Sequence, residues 1–363
     1  MVHRVFNFAP GPATLPLPAL ERAQADLIDY QGTGIGILEH SHRGPHYMKV
    51  HEEAKKLLAE LLQIPDGYHI LFMQGGARGQ FAIVPMNLLR AGATADYAVA
   101  GTWGEKAIAE ARIVGSVREV ANTMGEDGRY RRVPENAELE VPADSAYLHL
   151  TSNNTIYGSQ VFDYPDTGDV PLIVDMSSDI CWRPMDVSRF GLIYAGAQKN
   201  LGPPGVTIVI VRDDLVAKGR EDIPSIFQYR TIVKGDSLQN TAPTFAIYMV
   251  RNVLAWMADE GGLEEMERRN RKKASLVYEA IDEKPDLFRA PVEKGSRSVM
   301  NVVFNLPSDD LEKRFVEEAA EAGLVSLKGH RSLGGIRASL YNSMSVEGAE
   351  KLVDFMRRFA AST

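Results

Sequence analysis

Cysteine is almost missing from this sequence: Cys181 is the one example in 363 residues. That excludes an intrachain disulfide and fits a reducing compartment. Apolar runs are short as well, all far below the ~20 residues that a membrane-spanning helix needs. The first residues have no basic-then-apolar export pattern, so the expected location is cytoplasmic. No fixed-period repeat is visible, which sets aside solenoids and propellers. Positive charge is in the minority, with 40 Lys and Arg against 48 Asp and Glu, a net −8 with histidine neutral. Such a surface opposes non-specific nucleic-acid binding. Neither a nucleic acid nor a membrane is an expected partner.

What remains is the balance of an ordinary globular protein, 45% hydrophobic and 24% charged. Its 31 glycines and 19 prolines are slightly many, which implies tight loops between regular elements. After the proline- and glycine-rich "FNFAPGPATLP", a helical pattern covers 18–29 and a glycine-bearing loop follows in "QGTGIGILEHSHRG". Apolar spacing predicts a helix from Tyr47 to Leu62, stopped by Pro65–Gly67. Short β-rich runs then alternate with helical patterns: "HILFM", "ADYAVA", "AYLHL", "PLIVDMSS", "LIYAGAQ" and "VTIVIV". Their nearly unbroken apolar character predicts an α/β domain with a mainly parallel sheet covered on both faces. Helices are expected at 241–260 and 263–284, then a second rhythm of strand, helix, strand, strand and a helix at 346–361. We expect a large domain over 17–260, with 1–16 and 261–363 forming a smaller α/β domain.

In parallel sheets, ligands bind beyond the carboxyl ends of strands, so residues just after each strand are the candidates. Lys199 follows a strand in "YAGAQKNLGPPG". It reads either as a Schiff-base lysine, whose amine also shuttles protons, or as a surface lysine on a loop. Asp175 ends "PLIVD"; it either keeps a pyridine nitrogen protonated or caps the segment at serines 177 and 178. In "GGARGQ" (75–80), backbone N–H groups opening a helix can cradle a phosphate. The glycine spacing is that of neither a dinucleotide fingerprint nor a nucleotide phosphate loop. Trp103 in "AGTWGEK" can stack on a planar ring or close the top of the sheet. Thr155 in "TSNNTIYG" can donate a hydroxyl to a ligand or merely serve a turn. Two basic clusters remain, His40, His42 and Arg43 in "EHSHRG" and His330, Arg331 and Arg337 in "KGHRSLGGIR". Arginine favours a carboxylate or phosphate there over ordinary ion pairs, and over a metal held by "HSHRGPH".

Together "EHSHRG", "GGARGQF", "GTWGEKA", "TSNNTIYG", "VDMSSD", "GAQKNLGPPG", "QNTAPTF" and "GHRSLGGIRASLYN" resemble the phosphoserine aminotransferase family. It is a class-V group of the pyridoxal-phosphate-dependent aspartate aminotransferase superfamily, fold type I, and the likeness runs end to end. The resemblance implies a large domain with a mainly parallel seven-stranded sheet, a smaller C-terminal α/β domain, and a homodimer with shared active sites. It implies pyridoxal 5'-phosphate as cofactor, no metal, and reversible amino transfer by a ping-pong mechanism. The substrates implied are small anions: L-phosphoserine, L-glutamate, 2-oxoglutarate and 3-phosphohydroxypyruvate, with 3-hydroxy-2-oxo-4-phosphonooxybutanoate as a further one. Carried over by motif, Lys199 and Asp175 are catalytic, Trp103 stacks on the ring and Thr155 lies on its hydroxyl side. Ala77, Arg78 and Gln198 bind the cofactor phosphate, joined by Asn240 and Thr241 from the partner subunit. Arg337 takes the substrate α-carboxylate, and His42, Arg43, His330 and Arg331 take its distal anion. The rival is a fold-type I aminotransferase with serine or alanine as donor, which has no need of two histidine–arginine clusters. A cysteine desulfurase needs a mobile cysteine, a role that Cys181 suits poorly, and a scaffold without turnover has no need of Lys199.

Overall fold

Successive side chains of the main-sheet strands enter alternate apolar clusters. In Tyr68–Met73, Ile70 and Phe72 enter one apolar cluster, while Leu71 and Met73 enter another. A strand walled on both faces must be apolar throughout, and this is why these runs show no polar alternation. The structure, a computed structural model, describes residues 4–363. The residues 1–3 of the expected small domain lie outside the described part.

Among the described residues, seven strands form the main sheet. From edge to edge they are Tyr68–Met73, Thr207–Arg212, Leu192–Gly196, Leu172–Asp175, Leu148–Thr151, Thr94–Val99 and Ser116–Asn122. Thr207–Arg212 runs antiparallel to both neighbours, and the other strands share one direction. Their carboxyl ends therefore open on one edge, where the segments 74–79, 100–103, 152–155, 175–178 and 197–199 emerge. The helix Pro45–Leu62 begins with proline in its first turn and buries Tyr47, Val50, Ala54, Leu58 and Leu62 on one stripe. It stops where Gln63 turns left-handed, at φ 49°. A third apolar cluster gathers Phe288, Phe304, Phe315, Phe355 and Phe359 between the C-terminal elements. Phe8 belongs to it, because Phe6–Asn7 pairs in parallel with Leu324–Val325.

The structure departs from the sequence expectation in several places. The strand Ser116–Asn122 has no counterpart among the predicted runs; it is an edge strand, mostly exposed and polar, so it lacks the apolar signal. The first long helix spans Leu17–Asp26, shorter than the pattern suggested. Two short 3-10 turns, Tyr30–Gly32 and Ile37–Glu39, occupy the glycine-bearing loop. Among the described residues, no helix is long and apolar enough to cross a membrane.

Candidate active site

Leu172–Asp175 and Leu192–Gly196 are adjacent parallel strands, so the residues leaving their carboxyl ends are neighbours in space. Ser177 joins the two ends: its Oγ accepts from Gly196 N at 3.0 Å and donates to Asp175 Oδ1 at 2.6 Å. The Ser177 backbone N–H reaches the same Oδ1 at 2.9 Å, which turns Asp175 Oδ2 toward other partners. Asp175 is buried, and burial raises its pKa, while the Lys199 charge and the Ser177 hydrogen bonds pull it back. Burial lowers the Lys199 ammonium to about 8; Asp175 opposes that shift and Arg337 adds to it. Gly11 packs against the Lys199 stem at φ +139°, where a Cβ would stand 3.3 Å from Lys199 Cγ. The Ala13 N–H donates to Gln198 O at 2.9 Å, so the N-terminal segment closes one side of the site.

Trp103 opens the helix Thr102–Val114, and Thr155 follows the neighbouring strand Leu148–Thr151. The indole N–H donates to Thr155 Oγ1 at 3.1 Å, and Lys199 Nζ stands 5.4 Å from the ring centroid. Thr155 is buried, not a solvent-facing turn residue. Arg337, in the strand Ile336–Ser339, donates from Nη1 to Thr155 O at 3.2 Å. It is buried, its Nε has no protein partner among the described residues, and desolvation lowers its pKa. A buried guanidinium with a free donor and no carboxylate partner among the described residues can receive an external anion.

The helix Gly76–Leu88 begins behind Gly75 and Gly76, at φ 97° and 66°, with no side-chain cap. Its first N–H groups, including those of Ala77 and Arg78, lack intrahelical partners and face the open edge of the sheet. Gln74 Nε2 donates to Thr241 O at 3.3 Å, which brings the 240–241 segment beside this turn within one chain.

Among the described residues, no hydrogen bond joins the two basic clusters. His330 lies among positive groups: after burial, the charges of Arg337, Arg331 and Lys106 lower its pKa. Arg43 instead is exposed and donates to Leu238 O at 3.4 Å, and His42 Nε2 is buried without a protein partner among the described residues. His46 meets His40, with ring centroids 4.9 Å apart. No group of three or more potential ligands is placed to hold a metal ion among the described residues. Cys181 is fully buried, and burial pushes its thiol up to about 12.

The aminotransferase class-V family model matches residues 5–352. The phosphoserine aminotransferase of Niallia circulans is 53% identical over 362 residues, covering 100% of this chain and 99% of its own. The solved phosphoserine aminotransferase of Bacillus circulans subsp. alkalophilus superposes with a TM-score of 0.96 at 53% identity, covering 99% of each chain. The pyridoxal-phosphate-bound phosphoserine aminotransferase of Trichomonas vaginalis gives 0.92 at 37% identity, over 98% of this chain and 100% of that one. This chain belongs to the phosphoserine aminotransferase family.

Several residues around the site of this class-V aminotransferase are not singled out by the sequence. Lys106 stands over the Trp103 ring, 4.7 Å from its centroid. Its spacing of three from Trp103 on a helix was the available clue, since such residues share a face. Asn153 and Asn301 meet at 2.8 Å, and Asn301 Nδ2 continues to Ser339 Oγ at 3.0 Å. That buried amide relay registers the Thr155 loop against the Arg337 strand, its first step alone crossing 148 residues of chain, a contact no local pattern announces.

Proposed function

We propose that this chain is a phosphoserine:2-oxoglutarate aminotransferase. It converts phosphoserine and 2-oxoglutarate into 3-phosphohydroxypyruvate and glutamate, reversibly. The observation that carries the reading is Lys199, its pKa lowered to about 8, beside buried Asp175 at the ends of two adjacent strands. The end-to-end likeness to phosphoserine aminotransferases supports the phosphorylated substrate. By the same likeness we extend the reading to 3-hydroxy-2-oxo-4-phosphonooxybutanoate.

The donor set fits pyridoxal 5'-phosphate. A low-pKa amine suits the cofactor carbonyl, the free Oδ2 of Asp175 suits a protonated ring nitrogen, and Trp103 offers a flat face. The uncapped start of Gly76–Leu88, at Ala77 and Arg78, suits the phosphate, with Gln198 beside it. Thr155 holds the side of the ring hydroxyl, and Asn240 and Thr241 of a second copy complete the phosphate site. When bound, the cofactor supplies the electron sink that makes the substrate α-carbon acidic.

The chain's own residues do the rest. Arg337 binds the α-carboxylate of either amino donor and so fixes the α-carbon against Lys199. Lys199 Nζ, unprotonated once released, takes the α-proton and holds it for return. Burial raises the Asp175 carboxyl while the Lys199 charge and two Ser177 hydrogen bonds counter that rise, and its Oδ2 would pair with the ring nitrogen of the cofactor in its protonated form. His330 and Arg331 receive the distal anion, with His42 and Arg43 supplied from the second copy. A homodimer is supported by Ile28, Ile35 and Leu38, apolar side chains 84%, 41% and 54% exposed just before the His42–Arg43 segment. We take residues 17–260 as the cofactor domain, the N-terminal segment and 261–363 as the smaller one, and the location as cytoplasmic.

A coupled assay of phosphoserine, serine and alanine as donors to 2-oxoglutarate tests the reading. Phosphoserine is expected to be preferred strongly; equal or better use of serine or alanine assigns the chain to the small-substrate aminotransferases instead.

A further inference from the structure

Asp236 and Ser237 are consecutive non-glycine residues in the left-handed region, at φ 46° and 63°. Such backbone is sparsely populated and persists only where the surroundings over-determine it. Here they do. The helix Tyr229–Lys234 ends at Gly235, and Ser237 N donates back to Ile232 O at 2.9 Å. Ser237 Oγ accepts from Phe72 N, on the edge strand, at 3.0 Å. Lys55 Nζ bonds Asp236 Oδ1 at 2.5 Å, and His51 Nε2 stands 3.4 Å from Asp236 Oδ2. Both come from the helix Pro45–Leu62, and the His51 side chain is fully buried beneath the turn. The neighbouring His51 and Lys55 hold the Asp236 carboxyl at about 2, so it is ionised at any working pH. Downstream, Leu238 O accepts from Arg43 and Thr241 O accepts from Gln74.

We propose that the Lys55–Asp236 pair, with His51 below it, is a clamp that positions Asn240 and Thr241 for the cofactor phosphate of the neighbouring subunit. Lys55, His51 and Asp236 touch neither cofactor nor substrate; they are positioning residues. Without the clamp the turn relaxes toward ordinary backbone, and Asn240, three residues beyond Ser237, swings on a lever of up to ~10 Å. The inference rests on the proposed reach of Asn240 and Thr241 across a dimer, and its test separates the two.

The test measures retention of pyridoxal phosphate by the holoenzyme during dialysis, with the cofactor trapped on Lys199 by borohydride and counted by intact mass. Lys55→Met and Asp236→Asn are compared with Thr241→Ala. Each is expected to raise the dissociation constant about tenfold, or ~1.4 kcal/mol, and the Lys55→Met/Asp236→Asn double variant no more than either single one. Wild-type retention in Thr241→Ala overturns the underlying reading. Loose cofactor in Thr241→Ala with tight cofactor in both clamp variants overturns the clamp alone. A mixed dimer of an Asp236→Asn chain and a Lys199→Ala chain gives the remaining readout. Its one intact Lys199 receives Asn240 and Thr241 from the chain with Asp236, so wild-type retention is expected there. Loose cofactor in that hybrid overturns the proposal, because general destabilisation by Asp236→Asn would persist while a defect in presentation would not.

Discussion

The Trp103 indole N–H donates to the Thr155 hydroxyl at 3.1 Å, joining loops that leave two neighbouring strands of the sheet. The bond fixes the plane of an aromatic ring beside Lys199. Thr155→Val keeps the shape and leaves the indole N–H unpaired, a loss of ~1–3 kcal/mol. The expected result is a fall of about tenfold or more in kcat/KM, with Thr155→Ser retaining most activity. Steady-state kinetics of the three proteins decide it.

Lys199 gives a pH signature. Its ammonium pKa lies near 8, below the ordinary 10.5, because burial disfavours the charged form. The free amine therefore increases about tenfold per pH unit below that value and levels off above it. Capture of pyridoxal phosphate by the cofactor-free protein should follow the same curve when timed by absorbance. The stability linkage has the matching sign: the folded protein carries a penalty for this ammonium below about 8, relieved between 8 and 10.5. Lys199→Ala should abolish the curve and lower turnover by about 10²–10⁴-fold or more.

Arg337 and Arg43 should separate the two ends of the substrate. Arg337→Ala is expected to raise KM for phosphoserine and glutamate alike, by about tenfold or more, because both share the α-carboxylate. Arg43→Ala should raise KM for phosphoserine more than for glutamate, since a dianion depends more on added charge. Equal effects of Arg43→Ala on both donors would count against a phosphate-selective role.

Lys273 offers a test of stability. Its buried ammonium donates to Leu340 O, Tyr341 O and Met344 O at 2.8, 2.8 and 2.9 Å, and burial lowers its pKa well below the usual lysine value. These carbonyls follow the strand that carries Arg337. Lys273→Met keeps the volume but strands three acceptors, and denaturant unfolding should show a loss of roughly 2–5 kcal/mol. A change under ~0.5 kcal/mol would mean that water replaces the ammonium without difficulty.

Much of the site was legible because its chemistry lies at strand ends. "PLIVD" and "YAGAQK" are apolar runs that stop at a carboxylate and near an amine, and parallel pairing brings such ends together. Ser177 was legible as a residue that Asp175 caps, but not as the group that also receives Gly196 N from the next strand. Ser116–Asn122 was invisible because an edge strand is half solvated and need not be apolar.

The sequence by itself determined the α/β class, the helix Val346–Ala361 and the position of Lys199 and Asp175 at strand ends. Those follow from periodicity and local composition, which adjacent residues carry. Tertiary structure alone decided that Gly11 lies against Lys199, that Asn153 meets Asn301, and that Lys55 from one helix clamps Asp236 on a distant turn. Each is a contact between segments far apart in the chain. Its partners are chosen by how the sheet and helices pack, and no periodicity of either segment records it.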